Sequence, residues 1–223
     1  MTRTKLKNRM LPSYYKGEEI MNMVTHIVGG GIGVIALLLC LYRTIEGGYP
    51  PDILGAAIYG SSMIILYAVS SVYHGLHPSM GKKVMQIIDH CAIYFLIAGT
   101  YTPILLSAII PKVPIVGWLI LFLQWGLTAL AITLTAIDLK KYNIFSMICY
   151  IFMGWCIILV YPVAIHALGS AGFGLLLAGG ITYTIGAILY GIGSKIHWMH
   201  SVFHIFVVLG SLLQFLSIYL YVL

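Results

Sequence analysis

His74, Asp89, His200 and His204 are the residues whose types and spacing could do chemistry in this chain. His200 and His204, in KIHWMHSVFH from Lys195 to His204, stand four apart and so share one face of a helix. Two imidazoles at that spacing can hold one metal ion. A third, His74 in SSVYH, would make a set of three with one position left open. That is the pattern of catalytic zinc, whereas structural zinc is closed by four protein ligands. Asp89, in QIIDHCAIY, is the candidate to bind a water on such an ion or to act as base. Ser70, four residues before His74, could hydrogen-bond a ligand histidine or that water. A lone His-x-x-x-His pair equally suits bonds to carbonyls or headgroups at a helix end. Imidazole ligands also suit copper, nickel and iron.

Elements must bring these residues together, and composition says which. The chain has 223 residues, 61% hydrophobic and 8% charged, with a mean hydropathy of +1.00. Soluble domains carry roughly 25% charged residues, so this sequence lacks the charge to cover a water-facing surface. It reads as an integral membrane protein of the cell membrane, and its +6 net charge is not a sign of nucleic-acid binding. A crossing helix needs about 20 apolar residues. Seven stretches qualify, near 20–42, 53–76, 84–107, 114–137, 143–165, 172–191 and 198–222. They are too long, and too little alternating, for a membrane β-barrel. The expected fold is all-α: a seven-transmembrane helix bundle over residues 20–223, preceded by a basic tail, residues 1–19. The tail does not read as a cleavable leader. Cys40, Cys91, Cys149 and Cys156 fall in apolar stretches and read as small buried hydrophobes. Gly29 and Gly33 suit close helix–helix approach.

Lys and Arg set the orientation. Arg3, Lys5, Lys7, Arg9, Lys16, Lys82, Lys83, Lys140, Lys141 and Lys195 fall on one side, and only Arg43 and Lys112 on the other. The N-terminus is therefore expected in the cytoplasm and the C-terminus outside. The second stretch then runs inward and places His74 near its cytoplasmic end. The third runs outward, with Asp89 on the order of 8 Å into it at 1.5 Å per residue. The last places His200 and His204 in its first two turns. Three helices thus converge at one depth, on the cytoplasmic side. Ionisable groups inside a bilayer are costly and face the protein interior. His26 lies at a similar depth, as a neighbour of the site or a packing donor. His90 points about 100° away from Asp89 on a helix. His77 and His197 read as interface residues, His166 lies at the far end, and Glu19 reads as a partner of the first helix dipole.

EEIMNMVTH, SSVYHGLHP, DHCAIYFLIAGTYTP and HWMHSVFH resemble the signatures of the haemolysin III family. That family is the bacterial branch of the progestin and adipoQ receptor (PAQR) superfamily. The resemblance implies a seven-helix membrane protein with a cytoplasmic N-terminus. It also implies one zinc ion at the cytoplasmic side, bound by His74, His200 and His204, with a bound water near Asp89. Ceramidase-like relatives in the wider superfamily point to a zinc-dependent hydrolase of a lipid amide or ester, with a membrane lipid as substrate. A pore-forming, cytolytic protein and a receptor or sensor with structural zinc are the other readings.

Overall fold

The computed structural model describes residues 4–193 and 196–223. Arg3 and Lys195 of the charge count lie outside the described residues. Among the described residues all regular structure is helical, and six helices are long and apolar enough to cross a membrane. Helix α1 runs Lys16–Gly47, beginning inside the stretch assigned from sequence to the tail; α2 is Pro50–Gly75 and α3 is Met80–Pro103. Helix α4 is Pro114–Ile137, α5 is Asn143–Trp155, α6 is Tyr161–Gly193 and α7 is Met199–Tyr221.

The helix starts carry recognisable signals. Pro50 and Pro114 open α2 and α4, where a missing N–H costs nothing. Ser79 caps α3 by accepting from the Lys82 N–H at 3.1 Å. At Pro103 the α-helical ladder loses a donor, and the chain continues as a π-helical segment, Ile104–Ile109. Thr100 and Thr102 take up carbonyls in that last turn, at 2.8 and 2.7 Å.

Between α5 and α6 the chain differs from two separate sequence segments. α5, a short 3-10 stretch (Cys156–Val160) and α6 follow one another as a 49-residue helical run, Asn143–Gly191. Its one sharp interruption is Gly169, at φ 70° and ψ 170°. Hydrophobicity is unbroken across this region, so helical hydrogen bonding persists on both sides. Only a residue without a Cβ adopts that left-handed backbone cheaply.

α1 packs along α2, α2 along α3 and α6 along α7, with α1 also meeting α7. Gly29 permits the first of these. A Cβ there would lie 2.5 Å from the Tyr67 ring, and one on Gly33 would lie 3.3 Å from the Ile64 backbone nitrogen. The expected glycine pair is thus spent on an internal seam, which holds Tyr67 under the site. Outward faces carry Leu38, Phe122 and Ile144, all strongly exposed, as a lipid-facing surface requires.

Candidate metal centre

The last turn of α2 and the first two turns of α7 meet at the basic end of the bundle. His74, His200 and His204 are all buried there. One ring nitrogen from each lies within 4.8 Å of the other two. The His200 and His204 Nε2 atoms are 3.2 Å apart. Two ring nitrogens so close need a proton or a cation between them. His74 Nε2 is buried with no hydrogen-bond partner. Unpaired buried nitrogens are costly, and a donor set of this kind fits a divalent ion that takes imidazole. Three histidines here could hold a metal.

α1 supplies the framework that aims these rings. Glu19 Oε2 lies 2.6 Å from His74 Nδ1, and Lys82 Nζ donates to Glu19 Oε1 at 2.5 Å. Lys82 also donates to the Leu76 carbonyl, at 2.9 Å. Asn22 Nδ2 stands 3.4 Å from His74 Nδ1, while Asn22 Oδ1 accepts from Ser201 Oγ at 2.7 Å. Asn22 is therefore bonded to α7 through Ser201 and lies against the His74 ring of α2. Glu18 is buried and accepts from the backbone N–H groups of Tyr15 and Trp198, at 2.7 and 2.5 Å. It fixes the start of α7, where Trp198 holds φ at 66°. His26, one turn further along, stacks on His204 with ring centroids 3.8 Å apart, and both its nitrogens are unpartnered.

Asp89, Ser70 and His26 line one cavity of about 210 Å³ with His200 and His204. Asp89 is partly buried, and its Oδ2 lies 3.9 Å from His90 Nδ1. Ser70 is buried. The structure thus brings Asp89 and Ser70 to the wall of the site without bonding either to a histidine. His90 is turned aside, bonding the Gln86 carbonyl at 2.8 Å and lying 3.3 Å from the Tyr190 hydroxyl. His77, His166 and His197 are exposed. Below the polar end the lining is largely apolar, through Leu96, Ile104 and Leu176 as far as Gln214.

Apart from His26, sequence reasoning missed the framework on α1. Its signal was present: Glu18, Glu19, Asn22 and His26 recur at three-, four- and seven-residue intervals. That spacing defines one helix face, and a polar face inside an apolar helix marks groups with partners.

The sequence model of the family described as Haemolysin-III related matches residues 14–215. The chain is 37% identical to "Hemolysin-3" of Bacillus cereus over 206 residues, 92% of each protein. It is 37% identical to the "Hemolysin-3 homolog" of Bacillus subtilis (strain 168), over 92% of this chain and 94% of that one. It is 27% identical to the "Monocyte to macrophage differentiation factor" of Homo sapiens, over 74% of this chain and 69% of that protein. No solved structure matches the chain. The match along nearly the whole chain, with three buried histidines at one end of an apolar helical bundle, makes this protein a member of the haemolysin III family of membrane proteins.

Proposed function

We propose that the chain is a zinc-dependent hydrolase of a lipid amide or ester. The observation that carries this reading is the three-imidazole cluster, two of whose members, His200 and His204, line the polar end of a largely apolar cavity with Asp89 on its wall. A zinc ion held by His74, His200 and His204 would supply Lewis-acid polarisation of a carbonyl and acidification of a water. The remaining steps fall to side chains. Asp89 takes the proton of the attacking water and returns it to the departing nitrogen or oxygen. Glu19 holds His74 in the tautomer that leaves Nε2 available. The apolar stretch from Leu96 to Gln214 accepts the acyl chain and keeps bulk water from the carbonyl.

The bundle is read as crossing the membrane seven times, with the N-terminus in the cytoplasm. A helical run of 49 residues measures roughly 74 Å, more than twice the hydrocarbon thickness of about 30 Å. Gly172, three residues beyond the break at Gly169, packs against Tyr221 at the end of α7. That contact supports a reversal of direction at the end opposite the histidines. Lys5, Lys7, Lys82, Lys83, Lys140 and Lys141 lie near the histidine end, which supports a cytoplasmic position for it.

Asp89→Asn tests the hydrolase. Expected is a wild-type metal content with turnover of a fluorogenic lipid amide or ester down about 10²- to 10⁴-fold. Undiminished turnover in this variant, or metal-free protein with full activity, would sink the reading. A sensor with structural zinc predicts unchanged function in Asp89→Asn.

A further inference from the structure

Residues 4–15 do not trail away from the bundle. The Thr4 backbone N–H donates to Asp138 Oδ2 at 2.7 Å. Arg9 is buried, and its Nη2 donates to the Ile137 carbonyl at 3.3 Å, at the end of α4. Lys83 Nζ donates to the Lys7 carbonyl at 2.8 Å. The strap is thus fastened to the end of α4 and the start of α3 before it enters α1. Between the fastenings and α1, Pro12 and Tyr14 form part of the cavity wall. The Tyr14 ring stacks on the His200 ring, with centroids 4.8 Å apart and planes at 19°, and its centroid is 6.0 Å from that of His74.

A tyrosine could reach this place merely as apolar packing. Two observations argue for more. Near-parallel stacking fixes a ring plane, which generic packing does not require. The residue also sits at the junction of a strap with three separate anchors, so its position is set from both sides. We propose that Tyr14 is a positioning residue of the metal centre and that the strap is its closure: Tyr14 holds the His200 plane and covers the ion, which exchanges when the strap lifts. This inference rests on the metal-centre reading above.

The experiment follows loss of metal from purified full-length protein, loaded with zinc, into a water-soluble chromogenic chelator. Tyr14→Ala should release zinc about tenfold faster than wild type, the scale of one lost aromatic pair. Tyr14→Phe keeps the ring and should release at the wild-type rate. Asp138→Ala, which removes a distant anchor, should release faster than wild type but more slowly than Tyr14→Ala. The visible spectrum of the Co²⁺-loaded protein should shift in Tyr14→Ala and not in Asp138→Ala. Wild-type release from both Tyr14→Ala and Asp138→Ala overturns the inference, as does Tyr14→Phe releasing as fast as Tyr14→Ala. His200→Ala, loaded alongside, separates the two readings. If it binds a full complement of zinc, the metal centre itself is wrong. If it binds none while Tyr14→Ala releases slowly, only the closure is wrong. Should Tyr14→Ala fail to fold, the Asp138→Ala rate decides.

Discussion

Glu19 Oε2 lies 2.6 Å from His74 Nδ1, so Nε2 is the ring nitrogen left for a ligand, and it is buried and unpartnered. A carboxylate behind a ligand histidine fixes its tautomer and raises its basicity. Glu19 is itself fixed by Lys82. The geometry of His74 is therefore set by α1 and α3, although the residue belongs to α2.

On the proposed zinc reading, Glu19→Gln should weaken zinc affinity about 10- to 100-fold, the usual cost of losing such a partner. The amide can still accept from Nδ1–H, but it no longer offers a charge to the ring or to Lys82. Competition titration against a chelator of known affinity measures the change. Affinity within twofold of wild type would remove Glu19 from the site.

Glu18→Ala should behave differently. It leaves the N–H groups of Tyr15 and Trp198 without their acceptor, and a lost hydrogen bond to a charged group costs about 1.5–3 kcal/mol. Thermal unfolding in detergent should show a lower midpoint even in metal-free protein. For Glu19→Gln, part of the stability loss should vanish when the metal is stripped, and the rest should persist because buried Lys82 loses its carboxylate. Equal midpoints for metal-free Glu18→Ala and wild type would count against the anchoring role.

The parts of this molecule legible in its sequence are those written in periodicity and charge. Apolar stretches of membrane length marked the helices, and His200 with His204 marked a shared face. Glu18, Glu19 and Asn22 were harder to read because their partners in other helices lie more than 50 residues away. A carboxylate in a first helical turn already has a local explanation in the helix dipole. Tyr14 had no local signal at all. A single tyrosine in a basic tail has the composition of an interfacial residue, and only the anchors at Asp138 and Ile137 bring it to His200.

Gly29→Ala tests the seam beneath the site. The new methyl would lie 2.5 Å from the Tyr67 ring, which is fully buried and bonds Ser211 at 2.7 Å. Either the ring shifts or α1 moves off α2. Overpacking of this kind costs about 1–3 kcal/mol, so the unfolding midpoint should fall. Tyr67 also meets His26 edge-on, at 5.0 Å, so the ring stacked on His204 loses its support. An unchanged midpoint would mean that the two helices are not held at the separation described.

Acid should release the strap. Backbone N–H donation from Thr4, with further help from Lys141 and the nearby Arg9, holds the Asp138 carboxyl below its ordinary value, against the opposing effect of burial. A carboxyl whose folded value is lowered stabilises the fastened state fully above its unfolded value, near 3.9. That contribution fades as pH falls through the lower, folded value. The strap should therefore stay fastened at neutral pH and loosen only below about pH 4. A nitroxide on Leu6→Cys, with the native cysteines left in their apolar surroundings, reports this directly. Its spectrum should be broad at pH 7 and sharpen in acid, and with Asp138→Asn it should be sharper already at pH 7. Equal mobility in Asp138→Asn and wild type at neutral pH would show that the carboxylate does not hold the strap.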